Sequence, residues 1–232
     1  MLEILSYKFI INALIISVFC SLSSAIIGSW VVVKRKVLIS GGITHASFGG
    51  IGLAYFLGIN PVIGSAVFAI AAAVGIELSA RKKLLREDSA IGLFWSLGMA
   101  LGIIFIFLTP GYAPDLNGYL FGNILTVNNF DIIISAILCL ILVPWFVLNY
   151  NKILFISYDE EFAEARHVNM KLISMILMLF TALTIVINIK ISGIVLVISM
   201  LCIGQSAANL LTHDFKKMIL YSFFFLSIFL LV

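Results

Sequence analysis

The chain has 232 residues, of which 62% are hydrophobic and only 11% are charged, and its formal net charge is +3. A water-soluble domain of this size could not bury so much apolar surface. The composition therefore excludes a soluble enzyme and predicts an all-α, polytopic transmembrane bundle in a lipid bilayer, with no nucleic-acid partner.

A helix needs about 20 mostly apolar residues to cross a bilayer. By that length the chain is predicted to form about eight spans in one transmembrane domain covering residues 1–232, the eighth starting near Met218. This last run is short and has no polar cap, so either it crosses with little tilt or the chain lacks a C-terminal helix. The first seven predicted spans are Phe9–Val33, Val37–Gly58, Pro61–Ala80, Ala90–Thr109, Asp131–Asn149, Leu172–Asn188 and Ile191–Leu211.

The basic residues predict the orientation of the spans. If the spans alternate in direction, 12 of the 14 Lys and Arg residues fall on one face of the membrane. By the positive-inside rule this face is cytoplasmic, and the amino terminus lies outside. The segments on this face are Lys34–Lys36, Arg81–Arg86, Lys152–Lys171 and Lys216–Lys217.

The second span contains a histidine, His45, within the glycine-rich stretch ISGGITHASFGGIGLAYFLG. His45 is about eight residues into the span, hence about 12 Å deep in a hydrocarbon core of about 30 Å. Ionisable groups at such depth usually mark a pathway, and neutral imidazole binds zinc well and manganese or iron more weakly. We interpret His45 as a transient metal ligand. The alternative is a packed histidine bonded to a backbone carbonyl or to the hydroxyl of Thr44 or Ser47.

Glycines surround this histidine and permit close approach of another backbone. Gly41, Gly42, Gly49 and Gly50 could leave a small void or let a neighbouring helix slide, or they could simply allow tight packing. Bulky replacement of Gly49 or Gly50 is predicted to block passage along this span with little loss of assembly.

Two amides, Asn12 and Gln205, also lie within predicted spans. They are weaker pathway candidates, because intramembrane amides ordinarily bond a neighbouring helix.

Two segments are more polar than the spans. The outer one, Pro110–Phe130, is too apolar for a free loop and suits a half-inserted structure packed against protein. The cytoplasmic one, residues 150–171, contains SYDEEFAEARHVN and is either a solvated loop helix or a short helix that docks on a soluble partner. In the docking interpretation Phe162, Ala163 and Ala165 form the contact strip, surrounded by the charged residues Asp159, Glu160, Glu161, Glu164 and Arg166.

Five stretches, taken in order, resemble the integral-membrane permease subunit of ATP-binding-cassette (ABC) importers for zinc, manganese or related divalent metals. The similarity covers nearly the whole chain. The stretches are VVVKRKVLISGGITHASFGGIGLAYFLG, REDSAIGLFWSLGMALGIIF, LNGYLFGNIL, SYDEEFAEARHVN and ISGIVLVISMLCIGQSAANLLTHDFKKMIL.

The resemblance implies a subunit without catalytic residues or a permanently bound cofactor, whose substrate is a divalent metal ion. Such permeases work in the cytoplasmic (inner) membrane of prokaryotes as homodimers, with the pathway between the two copies. A cytoplasmic ABC ATPase would dock on the segment from Asp159 to Arg166, and an extracytoplasmic metal-binding protein would deliver the ion.

Gly41 and His167 depart from the family pattern. Many relatives place an aspartate where this chain has Gly41, four residues before His45, so that carboxylate and imidazole share one helix face. Without this acid, a second copy could supply another His45 across a twofold axis. Family members also often carry glycine where His167 stands, so the turn there is expected to differ.

Two other classes of transporter remain as alternatives. A secondary transporter is expected to show paired broken helices and a deep carboxylate, neither of which is evident. A permease for a metal chelate, such as a siderophore or corrinoid, would need a wider pathway and typically a longer chain.

Overall fold

The computed structural model describes residues 7–82, 84–110 and 116–231. Within these ranges the secondary structure is helical, without strands, which confirms the all-α prediction. A 3₁₀ turn, Ile124–Thr126, lies between α5 and α6. The helices are α1 Lys8–Val33, α2 Val37–Leu57, α3 Pro61–Arg81, α4 Glu87–Leu108, α5 Leu116–Phe121, α6 Asn129–Leu148, α7 Tyr150–Tyr158, α8 Glu160–Ala165, α9 Met170–Leu211 and α10 Phe215–Leu231.

Helix α9 has 42 residues and is a hairpin of two helices. Unbroken, it would extend about 63 Å, roughly twice the thickness of the hydrocarbon core. Its backbone leaves the helical region at Gly193, where φ is 78° and ψ is 165°. Both ends of α9 lie at the same end of the bundle. Arg81 Nη2 donates to the carbonyl of Lys171 near its start, and Phe215, just after it, contacts the ring of Tyr158.

The count of about eight spans is confirmed. Six helices are long and apolar enough to cross a membrane: α1, α2, α3, α4, α6 and α9. Because α9 contributes two crossings, at 170–192 and 194–211, these helices supply seven, and the 17-residue α10 supplies the eighth. The boundaries differ by a few residues from the predicted ones: α4 begins at Glu87 and α10 at Phe215.

One end of the bundle carries most of the cations, and we call it the basic end. Helices α1 and α3 finish there, and α2, α4 and α9 start there. Ion pairs at this end join the α1–α2 turn to two other helices: Lys34–Glu160 at 2.5 Å reaches α8, and Lys36–Glu87 at 2.7 Å reaches α4. A third pair, Arg81–Glu77 at 2.6 Å, lies within α3.

At the opposite end, α5 and the residues that follow it pack against the tip of the α9 hairpin. Gly122 and Gly193 both have positive φ angles. Their backbones are so close that a Cβ atom on either residue would overlap the backbone of the other segment. Asp131 in the first turn of α6 accepts hydrogen bonds from Lys190 Nζ at 2.7 and 2.8 Å. The described part of the outer segment, 116–130, thus packs against protein, as predicted; residues 111–115 lie outside the described ranges.

Helix α2 occupies the interior of the bundle, in contact with α3, α4 and α9. Fourteen of its 21 residues are buried, whereas only five of the 22 residues of α4 are. The glycine-rich helix is therefore enclosed, and α4 is its least covered neighbour.

Candidate functional site

His45 lies on the face of α2 that meets α4 and remains partly exposed. Its ring stacks on Trp95 with 4.3 Å between ring centroids and an interplanar angle of 18°. Its Nδ1 atom is 3.2 Å from Met99 Sδ. The Nε2 atom has no hydrogen-bond partner among the described residues, so one ring nitrogen is available to a ligand.

The imidazole does not form the hydrogen bonds to Thr44 or Ser47 that the packed-histidine alternative expects. The hydroxyls of Thr44 and Ser47 both bond to carbonyls of their own helix, Thr44 to Ser40 O and Ser47 to Thr44 O, each at 2.6 Å. Neither reaches the imidazole. Instead the Met99 thioether and the Trp95 indole contact the ring. The Nε2 atom is left without a hydrogen bond from the described residues.

Trp95 and Met99 are the contacts of His45 that the sequence did not reveal. They stand four positions apart on α4 and so share one helix face. Their contact with His45 depends on how α2 and α4 pack, and no spacing along the chain shows that. The sequence does show an aromatic residue and a thioether at positions i and i+4 of α4, and that spacing was the one available indication of a shared face.

The packing around Gly41 leaves no room for an acidic side chain at this position. A Cβ atom at Gly41 would lie 2.6 Å from Cζ3 of the Trp95 ring. The indole therefore fills the space that a carboxylate at residue 41 would need. The Trp95 ring that stacks on His45 thus occupies the space left by the absence of a side chain at Gly41.

The other glycines lie in close helix contacts. A Cβ at Gly42 would meet the Ile91 side chain at 2.7 Å, and one at Gly49 would meet the Gly98 carbonyl oxygen at 2.7 Å. At Gly50 a Cβ would overlap the backbone of Gly64 in α3. Tight packing is thus the primary role of these glycines. We revise the prediction that their replacement would spare assembly, because backbone atoms cannot move aside as a flexible side chain can.

Asn12 and Gln205 make the ordinary contacts expected of intramembrane amides, away from His45. Asn12 Nδ2 lies 3.4 Å from Val127 O at the opposite end of the bundle. Gln205 Nε2 donates to Ser24 O at 2.8 Å and to Met200 O at 2.9 Å, which joins the second half of α9 to α1. They link elements of the scaffold.

Replacing Gln205 by leucine should lower the free energy of unfolding by about 1 kcal/mol, a typical value for one interhelical hydrogen bond in a membrane. Thermal unfolding of the purified protein in detergent or nanodiscs measures the change. Asn209→Leu is the matched control, because Asn209 is exposed on the same helix and has no hydrogen bond in the described structure. Equal effects of the two variants would contradict the assignment.

The segment predicted to contact an ATPase forms α7 and α8. Asp159 caps α8 by accepting from Phe162 N–H at 2.9 Å. Phe162 is 40% exposed, packs edge-on against Phe155 at 5.0 Å and lies under the Arg166 guanidinium at 5.3 Å. Ala163 is fully buried in the protein's own core. It therefore does not belong to the predicted contact strip.

The other residues of α8, and Arg166 after it, are exposed: Glu160, Glu161, Glu164, Ala165 and Arg166. The chain then turns at His167, whose φ of 53° lies in the left-handed region that glycine adopts most readily. A residue with a side chain can take this conformation at some cost, so the turn keeps the geometry expected of a glycine.

The chain as a whole matches one protein family. The model of the family described as "ABC 3 transport family" matches residues 6–232. The chain belongs to this family. The family resemblance expected from the five sequence stretches is thereby confirmed.

Individual relatives of this ABC 3 family member cover most of its length. The manganese transport system membrane protein MntC of Listeria monocytogenes is 37% identical over 216 residues, which are 93% of this chain and 77% of MntC. The manganese transport system membrane protein MntB of Synechocystis is 34% identical over 96% of this chain and 72% of MntB. Among solved structures, PsaBC from Streptococcus pneumoniae in complex with Fab has a chain with TM-score 0.82, 29% identity and coverage of 95% of this chain and 79% of that chain.

Proposed function

We propose that this protein is the membrane-spanning permease subunit of an ATP-driven importer of divalent metal ions. One observation carries the proposal: in a member of the ABC 3 transport family, a spanning helix presents an imidazole with an unpartnered nitrogen at its partly exposed face. An imidazole with an unpartnered nitrogen at the partly exposed face of a spanning helix is suited to bind a metal ion.

Manganese is the favoured substrate. Two relatives that each match more than nine tenths of this chain are named as manganese transport membrane proteins. His45 supplies one nitrogen, and Met99 Sδ lies 3.2 Å from the other nitrogen of the same ring. Zinc and ferrous iron also accept imidazole, and selectivity in cells does not follow affinity order alone. A weak, incomplete ligand set suits an ion that must also leave.

The proposed importer contains two copies of this subunit with the pathway between them. The partial exposure of His45 and the sparse covering of α4 support this arrangement, because both place the site on a surface that another copy can complete. With glycine at residue 41, one copy offers few ligands. The second copy would add its own imidazole across a twofold axis.

The remaining partners are a cytoplasmic ABC ATPase and an extracytoplasmic metal-binding protein, and the complex resides in the cytoplasmic membrane of a prokaryote. The basic end faces the cytoplasm by the positive-inside rule, which puts α8 on the ATPase side. This subunit carries out no chemical step; ATP hydrolysis belongs to the ATPase and drives alternation between outward and inward openings.

Reconstitution tests the function directly. The permease, its ATPase and its binding protein are placed in proteoliposomes, and uptake of Mn²⁺, Zn²⁺ and Fe²⁺ is measured with ATP, without ATP and with a chelated metal. We expect uptake of a free divalent ion that requires ATP. Uptake driven by an ion gradient without the ATPase would instead identify a secondary transporter, and uptake of the chelate alone a chelate permease.

Replacing Phe162 by alanine should weaken binding of the ATPase at least about fivefold, because aromatic anchors at an interface commonly contribute more than about 1 kcal/mol. Affinity between the purified permease and ATPase is the measurement. Leu84→Ala is the control, because Leu84 is a large apolar residue at the same end that is 70% exposed and lies outside α8. If both variants bind equally well, α8 is not the docking helix.

A further inference from the structure

The turn between α1 and α2 is built from three consecutive cations, Lys34, Arg35 and Lys36. Arg35 has a φ of 56°, and its N–H donates to Val32 O at 2.9 Å, while Lys36 N–H donates to Val31 O at 2.9 Å. A left-handed residue closed by such backbone bonds is a common and well-defined way to end a helix. The two lysines are therefore carried on a turn of fixed geometry.

These lysines pair with acids on two different helices. Lys34 Nζ is 2.5 Å from Glu160 Oε1 in the first turn of α8, and Lys36 Nζ is 2.7 Å from Glu87 Oε1 at the start of α4. The lysine side chains are only 12% and 23% exposed, so solvent and salt screen these pairs less than fully exposed ones. Among the described charged residues of α8, Glu160 alone forms an ion pair with another element.

Both helices that enclose the imidazole begin at this turn or are tied to it. Helix α2 starts at Val37, immediately after Lys36, and α4 carries Trp95 and Met99 downstream of Glu87. The two helices meet backbone to backbone at Gly49 and Gly98. Nearer the start of α4, Ile91 packs on Gly42, and Trp95 packs on Gly41 and His45. A displacement of the start of α4 therefore changes the contact between Trp95 and His45.

We propose that Lys34 and Lys36 are positioning residues that transmit displacement of α8 to the start of α4, and so change the contacts of Trp95 and Met99 with His45. This inference rests on the proposed function, because α8 moves only if an ATPase acts on it. The relay consists of Glu160, Lys34, the Arg35 turn, Lys36 and Glu87. It opens or closes the ligand face of His45 without any residue of the relay touching the metal ion.

The ratio of metal ions imported to ATP hydrolysed, measured in the reconstituted complex, tests the relay and does not depend on how much complex assembles. Coupling between sites commonly corresponds to about 5- to 150-fold, so Lys36→Gln and Glu87→Gln should each lower the ratio at least about fivefold. Lys36→Arg keeps the charge and should keep the ratio. The double variant Lys36→Gln/Glu87→Gln should be no worse than either single variant, because both remove one interaction.

Lys82→Gln is the matched control, since Lys82 is exposed at the same end and has no ion pair in the described structure. It should leave the ratio unchanged. An unchanged ratio in the single variants, or additive losses in the double variant, would overturn the relay alone. Absence of ATP-dependent uptake by the wild-type complex would overturn the proposed function, and the relay with it.

Discussion

Replacing His45 by alanine should reduce metal uptake by the reconstituted complex at least about tenfold, since loss of mere supporting partners of metal ligands already costs about 10- to 100-fold. The reason is that His45 is partly exposed and its Nε2 atom has no hydrogen-bond partner among the described residues. Initial rates of Mn²⁺ and Zn²⁺ uptake with saturating ATP measure the effect.

Two further variants separate ligation from packing. Met99→Leu keeps the volume near His45 but removes the sulfur. It should change the ratio of Mn²⁺ to Zn²⁺ uptake by a larger factor than it changes the yield of folded protein. His213→Ala removes a histidine that is exposed at the basic end and should transport normally. Uptake by His45→Ala within about twofold of wild type would remove His45 from the pathway, since one lost contact worth 1.4 kcal/mol already gives tenfold.

The second large effect concerns Gly50, where a single methyl group should destabilise the bundle. In Gly50→Ala the new Cβ would overlap the Gly64 carbonyl, so α2 and α3 must separate. Overpacking of a close contact typically costs about 1–3 kcal/mol, and here the obstacle is backbone on both sides. Thermal unfolding in nanodiscs and the yield of folded protein should both fall.

Gly92→Ala provides the matched control for this variant. Gly92 lies within the neighbouring helix α4, and a Cβ there would have no atom within 4 Å. Alanine is favoured over glycine in a helix by about 0.8–1 kcal/mol, so this variant should be as stable as wild type or more so. If Gly50→Ala unfolds at the wild-type temperature, the close contact between α2 and α3 is not as described.

The sequence predicted the spans well because charge and proline interrupt the hydrophobic runs at most span ends. Lys34–Lys36 and Pro61 bound α2 and α3 to within a residue or two of the observed limits. The break in α9 was harder to place, since residues 188–193 contain only Lys190 as a charged residue. Its position depends on contact with Gly122, which is far away in the chain.

The candidate site was predictable only in part, for a related reason. A histidine among glycines is visible in one span, but its partners Trp95 and Met99 belong to another. Likewise, the buried side of α8 could not be seen in SYDEEFAEARHVN, where Ala163 looks equivalent to Ala165. Local patterns indicate which residues could carry chemistry, whereas packing decides which of them meet.

The one-residue turn at Gly193 has a consequence for how the protein is made. The two halves of α9 are joined by a single residue, so Lys190 is the one charged side chain near the turn that the insertion machinery must move across the membrane. We expect residues 170–211 to enter the bilayer together as a preformed pair of helices. Once inserted, this pair of helices would provide the protein surface against which α5 and the segment after it pack, late in biogenesis.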